Sequence, residues 1–128
     1  MIFKKELTDP HINTFKKRVR VMLATEEVVI TEKCLEVLYW IIHFTVSGKE
    51  YKNANRLHLD VALKMGSFTT YIAAYVVARI VPKKLLKREE YIREASGLKV
   101  IKGYIIPKWL LTVYNDKVFK IDLTLMYE

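Results

Sequence analysis

The side chains best suited to chemistry are few and scattered. His11, His43 and His58 lie far apart, and none stands at a metal-ligand spacing from another His, Cys or carboxylate on one helix face. His58 and Asp60 are two residues apart, which on a helix turns them away from each other. Cys34, the single cysteine, rules out an intrachain disulfide and opens an apolar run where a buried, inert thiol is expected. His43 belongs to the same run and reads as a core or boundary histidine rather than a base. Glu89-Glu90 resemble paired carboxylates, but they lie between Arg88 and Arg93 in a solvated mixture of signs. The four glycines form no phosphate-cradling cluster. The sequence predicts no enzyme: no catalytic residue, no metal ligand and no cofactor.

What remains is electrostatic. The 128 residues carry a formal net charge of +8, with 52% hydrophobic and 28% charged residues, so a folded domain with a real core is expected rather than disorder. The charge is uneven. Residues 83–111 hold eight Lys or Arg against three acids. A basic block of this kind marks a nucleic-acid or other anionic partner. The opening MIFKKELTDPH lacks the apolar run of a signal peptide, and Cys34–Val46 is too short to span a bilayer. A cytoplasmic protein without a membrane partner is expected.

These charges need elements to carry them. Asp9-Pro10 suits a helix start, with Asp as cap and Pro in the first turn. Ile12, Phe15, Val19 and Met22 then follow helical spacing, yet Val19, Val21 and Leu23 also alternate, so residues 10–24 fit a helix or a strand. Thr31 and Gly48 bracket a central helix with Leu35, Leu38, Ile42 and Val46 on one face. Asn53 or Asn55 caps a second helix to Met65, with Leu57, Val61 and Ala62 inward, and Gly66 makes the turn. Ser67 or Thr69 caps a third helix that runs to about Val81 and stops near Pro82, with Ile72, Val76 and Ile80 inward. Leu85-Leu86 begins a strand, Ser96-Gly97 turns, and Lys99–Ile106 returns, with Gly103 as a possible bulge. Trp109 is expected to pack, Asn115-Asp116 to turn, and Phe119, Ile121, Leu123 and Leu125 to form a last strand.

The order of helix, helix, glycine turn, helix and basic hairpin over about 31–111 resembles the winged helix-turn-helix family of DNA-binding proteins. The run from Ile80 to Arg88, IVPKKLLKR, looks like its passage from third helix to wing. Tyr104-Ile105-Ile106-Pro107 resembles the closing wing strand of plasmid- and phage-type replication or transcription regulators. The resemblance implies an α+β fold: three core helices, a C-terminal β-hairpin wing and an additional terminal strand. The whole chain, 1–128, would be one domain, with an N-terminal extension over 1–30 and a C-terminal strand extension over 112–128. It also implies double-stranded DNA as partner. Ser67, Thr69, Thr70 and Tyr71 would face the groove, and Lys83, Lys84, Lys87, Arg88, Arg93, Lys99 and Lys102 would contact phosphates.

One departure shapes the functional reading. Between Gly66 and Arg79 there is no Lys, Arg, Asn or Gln, the side chains that most often read base edges. Tyr71, Ala74, Tyr75 and Ala78 occupy the expected outer side, and such a face suits a flat protein contact. Two functions follow. One is a transcription or replication regulator that grips the DNA backbone through a basic wing. The other is an interaction module that docks through the third helix on a second copy, a polymerase or a phage or virus assembly.

Overall fold

The computed structural model describes residues 10–115. The expected cap Asp9 and the strand expected over 119–125 lie outside them. The segment that fitted either period is a helix, α1 (Pro10–Ala24). Ile12, Phe15, Val19 and Leu23 are its buried residues, whereas Met22 is 47% exposed. The inward stripe thus runs through Leu23 and not Met22. Local β-preference yields here because α1 has a neighbouring helix against which to bury a helical stripe.

That neighbour is α2 (Glu32–Val46). Thr31 caps it, its hydroxyl accepting from the Cys34 N–H at 3.3 Å. Leu35, Val37, Leu38, Ile41 and Ile42 are all sealed from solvent, so the helix is buried on most of its circumference, while Val46 at its end is 42% exposed. Emptying one of these sites, as Ile41→Ala would, costs about 2–5 kcal/mol. Lys16 and Arg20 of α1 each reach Glu32 at 2.7 Å, tying the helices at one end.

Asn53 caps α3 (Ala54–Met65), accepting from the Arg56 N–H at 3.2 Å. Gly66 ends it at φ 65°, a left-handed conformation that a side chain would strain, and Ser67 N–H closes back on Ala62 O at 2.9 Å. Three residues later α4 (Thr69–Tyr75) begins. Its N-cap is Phe68, with no side-chain cap bond, so neither Ser67 nor Thr69 fills the expected role. The helix then widens into one π-turn over Val76–Ile80, closed by Val81 N–H on Val76 O at 2.9 Å. A four-residue step overshoots an α-turn and falls short of the wider π-turn, so the two drifts cancel. Ile72, Val76 and Ile80 therefore share one buried line. From α3 to Ile80 the helical path bends by 108°.

Lys84, at φ 61°, turns the chain out of the helix, and Leu85 and Leu86 bury as an irregular link before the strand they were expected to begin. The strands β1 (Lys87–Ile92) and β2 (Lys99–Ile105) pair antiparallel. Glu89 faces Gly103 and Glu90 faces Ile101, leaving Lys102 as the extra residue of a bulge beside the expected glycine. A short helix, α5 (Lys108–Asn115), follows, so residues 112–115 are helical and not the start of a strand extension. Pro107 O accepts from both Leu110 and Leu111 N–H at 3.0 Å, and Leu110 and Tyr114 bury one helical turn apart. The described chain is thus α+β, with one hydrophobic core spanning α1–α5, Leu85-Leu86 and Tyr104.

Candidate nucleic-acid interface

The hairpin is held on α3 by a buried polar pair. Cross-strand partners share a face, and the register sets Arg88 beside Tyr104. The Tyr104 hydroxyl meets His58 Nε2 of α3 at 2.7 Å, with ring centroids 5.7 Å apart. Burial holds the His58 ring down at about 4, so it is neutral at pH 7. Burial also pushes the Tyr104 phenol up to about 12, against the pull of the Arg88 charge. A second strut joins the hairpin to the start of α3, where Tyr91 Oη donates to Lys52 O at 3.4 Å. At this second strut lies an open cleft of about 590 Å³, lined by Tyr51, Lys52 and Asn53 and by Glu89, Tyr91 and Lys102 of the hairpin.

The expected phosphate contacts divide into two groups. Lys83, Lys84, Lys87, Arg93, Lys99 and Lys102 are exposed, and Lys99 lies 3.5 Å from Glu90. Arg88 is different: it is half-buried on the Tyr104 face, and its Nε is sealed from solvent with no partner among the described residues. It belongs to the hairpin's seat on α3. Of the expected groove-facing group, Ser67 and Thr69 are half-buried, while Thr70 and Tyr71 project. Tyr71, 59% exposed, packs its ring 5.9 Å from that of Phe68, itself 69% exposed.

Along α4 and its π-turn, Ala74 and Ala78 lie on the outer side, as expected. Tyr75 does not. It is half-buried against the core, with the Arg79 guanidinium 5.6 Å over its ring, and Val77 is exposed in its place. The exposed residues are therefore Thr70, Tyr71, Ala74, Val77, Ala78 and Arg79, with Arg79 the one cation among them.

Charge that a narrower window hides appears once the elements are joined. Residues 49–108, which span α3, α4 and the hairpin, carry thirteen Lys or Arg against five acids, so their net charge is +8 and the rest of the chain is neutral. Lys49, Lys52, Arg56 and Lys64 of the α3 region were not picked out by sequence because they are spread through a polar connector and a helix and form no run. Not all of these are free. Lys49 and Tyr51 both bind Asp60, at 2.7 and 2.6 Å, and hold that carboxyl below its usual range.

No protein-family model, curated protein or solved structure matches the chain. Among the described residues no group of three His, Cys, Asp or Glu side chains could hold a metal, and no single helix is long and apolar enough to cross a membrane. Cys34 is a buried free thiol. His43 lies 2.8 Å from the Tyr114 hydroxyl, and Trp109 is half-buried against the core.

Proposed function

We propose that the chain is a non-enzymatic winged helix-turn-helix protein. It binds duplex DNA mainly through the phosphate backbone and acts in the cytoplasm as a regulator of transcription or replication. The observation that carries the reading is the junction of α3 and α4. Two helices meet through a three-residue turn around a left-handed Gly66 and bend by 108°, within the roughly 90–120° of helix-turn-helix units, and a basic hairpin follows. Residues 54–105, from the start of α3 to the end of β2, carry ten Lys or Arg against four acids, a net +6 of the chain's +8. Base reading is not its strength, since the outer side of α4 offers only the hydroxyls of Thr70 and Tyr71 near its start.

The test is affinity for random duplex against salt. If about five of the exposed cations neutralise phosphates, log affinity against log salt has a slope of roughly −4 to −5, nearly the same for unrelated sequences. A slope near zero, or no binding at low salt, sinks the reading. A second reading rests on the apolar outer side of α4: Tyr71, Ala74, Val77 and Ala78 would cover a protein partner, either a second copy or another subunit of an assembly. Concentration-dependent sedimentation together with absent DNA binding would favour it.

A further inference from the structure

Residues 61–88, from the last turn of α3 through α4 to the start of β1, hold six Lys or Arg and no Asp or Glu. Five of the six, Lys64, Arg79, Lys83, Lys84 and Lys87, are exposed, and none forms an ion pair with a described residue. Asp60, just before the stretch, is already held by Lys49 and Tyr51. The same stretch keeps large apolar side chains in solvent. Leu63 and Phe68, on either side of the Gly66 turn, are 72% and 69% exposed, and Tyr71 and Val77 of α4 and its π-turn are 59% and 52% exposed.

Charge and apolar surface are laid out in order. The helical run from Thr69 to Ile80 is roughly 18 Å long. Lys64 stands before it and Arg79, Lys83 and Lys84 stand at its far end, with Tyr71, Ala74, Val77 and Ala78 exposed between them. A second copy suits this surface poorly. A two-fold contact sets one surface against itself, which here brings cations to cations with no acid of the same stretch to answer them. A duplex groove answers the cations but offers Leu63, Phe68 and Val77 little beyond thymine methyl groups. An anionic bilayer answers both. A helix lying in the interface buries its apolar side at the headgroup and acyl boundary, aromatic side chains settle at that level, and the surface potential holds nearby cations. The expectation of no membrane partner rests on the lack of a spanning run, and a helix lying in the interface needs none.

We infer that α4 and the Gly66 turn dock on a bilayer of anionic phospholipid, with Phe68, Tyr71 and Val77 in the interface and Arg79, Lys83 and Lys84 on the headgroups. This docking stands apart from duplex binding. Because Thr70 and Tyr71 would serve both, the chain holds one of the two at a time.

The test is co-sedimentation of the full chain with vesicles of phosphatidylcholine, with and without phosphatidylserine. The wild type should bind only the vesicles that contain phosphatidylserine, and duplex should compete. Phe68→Ser with Tyr71→Ser should bind about tenfold more weakly. Both side chains are exposed, and Phe68→Ser offers α4 the side-chain cap it lacks, so melting should be unchanged. Lys83→Gln with Lys84→Gln should lose about fivefold per lysine at low salt and much less at high salt. Phe68→Trp should gain a blue-shifted emission on these vesicles that bromine on the lipid chains quenches. A wild type that ignores phosphatidylserine at low salt overturns the docking and leaves the duplex reading untouched. Binding that needs the lysines but not Phe68 and Tyr71, with no quenching in Phe68→Trp, overturns the placement of α4 in the interface. A wild type that self-associates, loses this in the Phe68/Tyr71 variant and binds no vesicles overturns the docking in favour of a second copy.

Discussion

Two regions of this molecule bury polar aromatic pairs, and they do so differently. In the body, where α1, α2 and α5 meet, the bonds are linked. His11 Nε2 donates to Tyr114 O at 2.8 Å, since a carbonyl can only accept, and its Nδ1 lies 3.1 Å from the Tyr39 hydroxyl. The Tyr114 hydroxyl lies 2.8 Å from His43, and Arg18 donates to Val113 O at 3.2 Å. Around them the rings of Phe15, Tyr39 and Trp40 pack edge to face. At the seat of the hairpin one bond, His58 to Tyr104, stands nearly alone, and His58 Nδ1 has no partner among the described residues. A linked network fixes three helices from several directions. The hairpin rests instead on this pair, the Tyr91–Lys52 bond and the apolar packing of Ile101. The body is built to stay, and the hairpin is built to reach.

The largest expected effect tests the body. Tyr114 is 9% exposed and its ring lies within 5.0–6.3 Å of those of His11, Phe15, Tyr39 and His43. Tyr114→Ala should cost about 3–5 kcal/mol in denaturant unfolding. Affinity for duplex, measured where the variant is still folded, should hold. A variant that unfolds normally would show that α5 is an appendage and that the contrast is wrong.

How much of this was legible follows from the same contrast. Helices with a full apolar stripe and a cap could be read: Thr31 and Asn53 cap where expected, Gly66 turns the chain, and Leu57, Val61 and Ala62 face inward. The hairpin and the neighbourhood of its bulge were legible from Ser96-Gly97 and Gly103. Residues placed by tertiary contact were not. Residues 112–115 were expected in a strand extension, and Thr, Val and Tyr do favour β-structure, but they close a helix seated against α1 and α2. The π-turn over Val76–Ile80 has no local signature. Arg88 and Lys87 look alike in sequence, yet strand alternation sends one to α3 and the other to solvent.

The second effect is a pH dependence that belongs to the hairpin's seat. Folded His58 takes up a proton only near pH 4, whereas the unfolded chain does so near 6.5. Above pH 6.5 the ring is neutral in both states and its full contribution is present. As pH falls toward 4 the unfolded state gains a proton that the folded state does not, and stability drops. The loss should approach about 3 kcal/mol and then level off. His58→Gln keeps an amide nitrogen to meet Tyr104 and cannot titrate, so this part of the pH slope should vanish. An unchanged slope would place the titration elsewhere.

The smallest effect is the sharpest on the contrast, because it compares neighbours. Lys87 and Arg88 lie side by side on β1, and both were expected to serve the ligand from solvent. The exposed Lys87 should change stability by under about 0.5 kcal/mol on replacement by Ala. Arg88 is half-buried on the Tyr104 face and keeps its Nε out of water, so Arg88→Ala should cost about 1 kcal/mol through lost packing. The binding ranking should run differently: Lys87→Ala should flatten the salt slope by about 1 without touching the fold. Arg88→Ala should weaken binding chiefly by loosening the hairpin on α3. Amide exchange at the Tyr104 and Ile105 N–H groups would separate the two, rising in Arg88→Ala and unchanged in Lys87→Ala. Equal exchange in both variants would mean that Arg88 is one more solvent cation and that the hairpin is seated by His58 and Tyr104 without it.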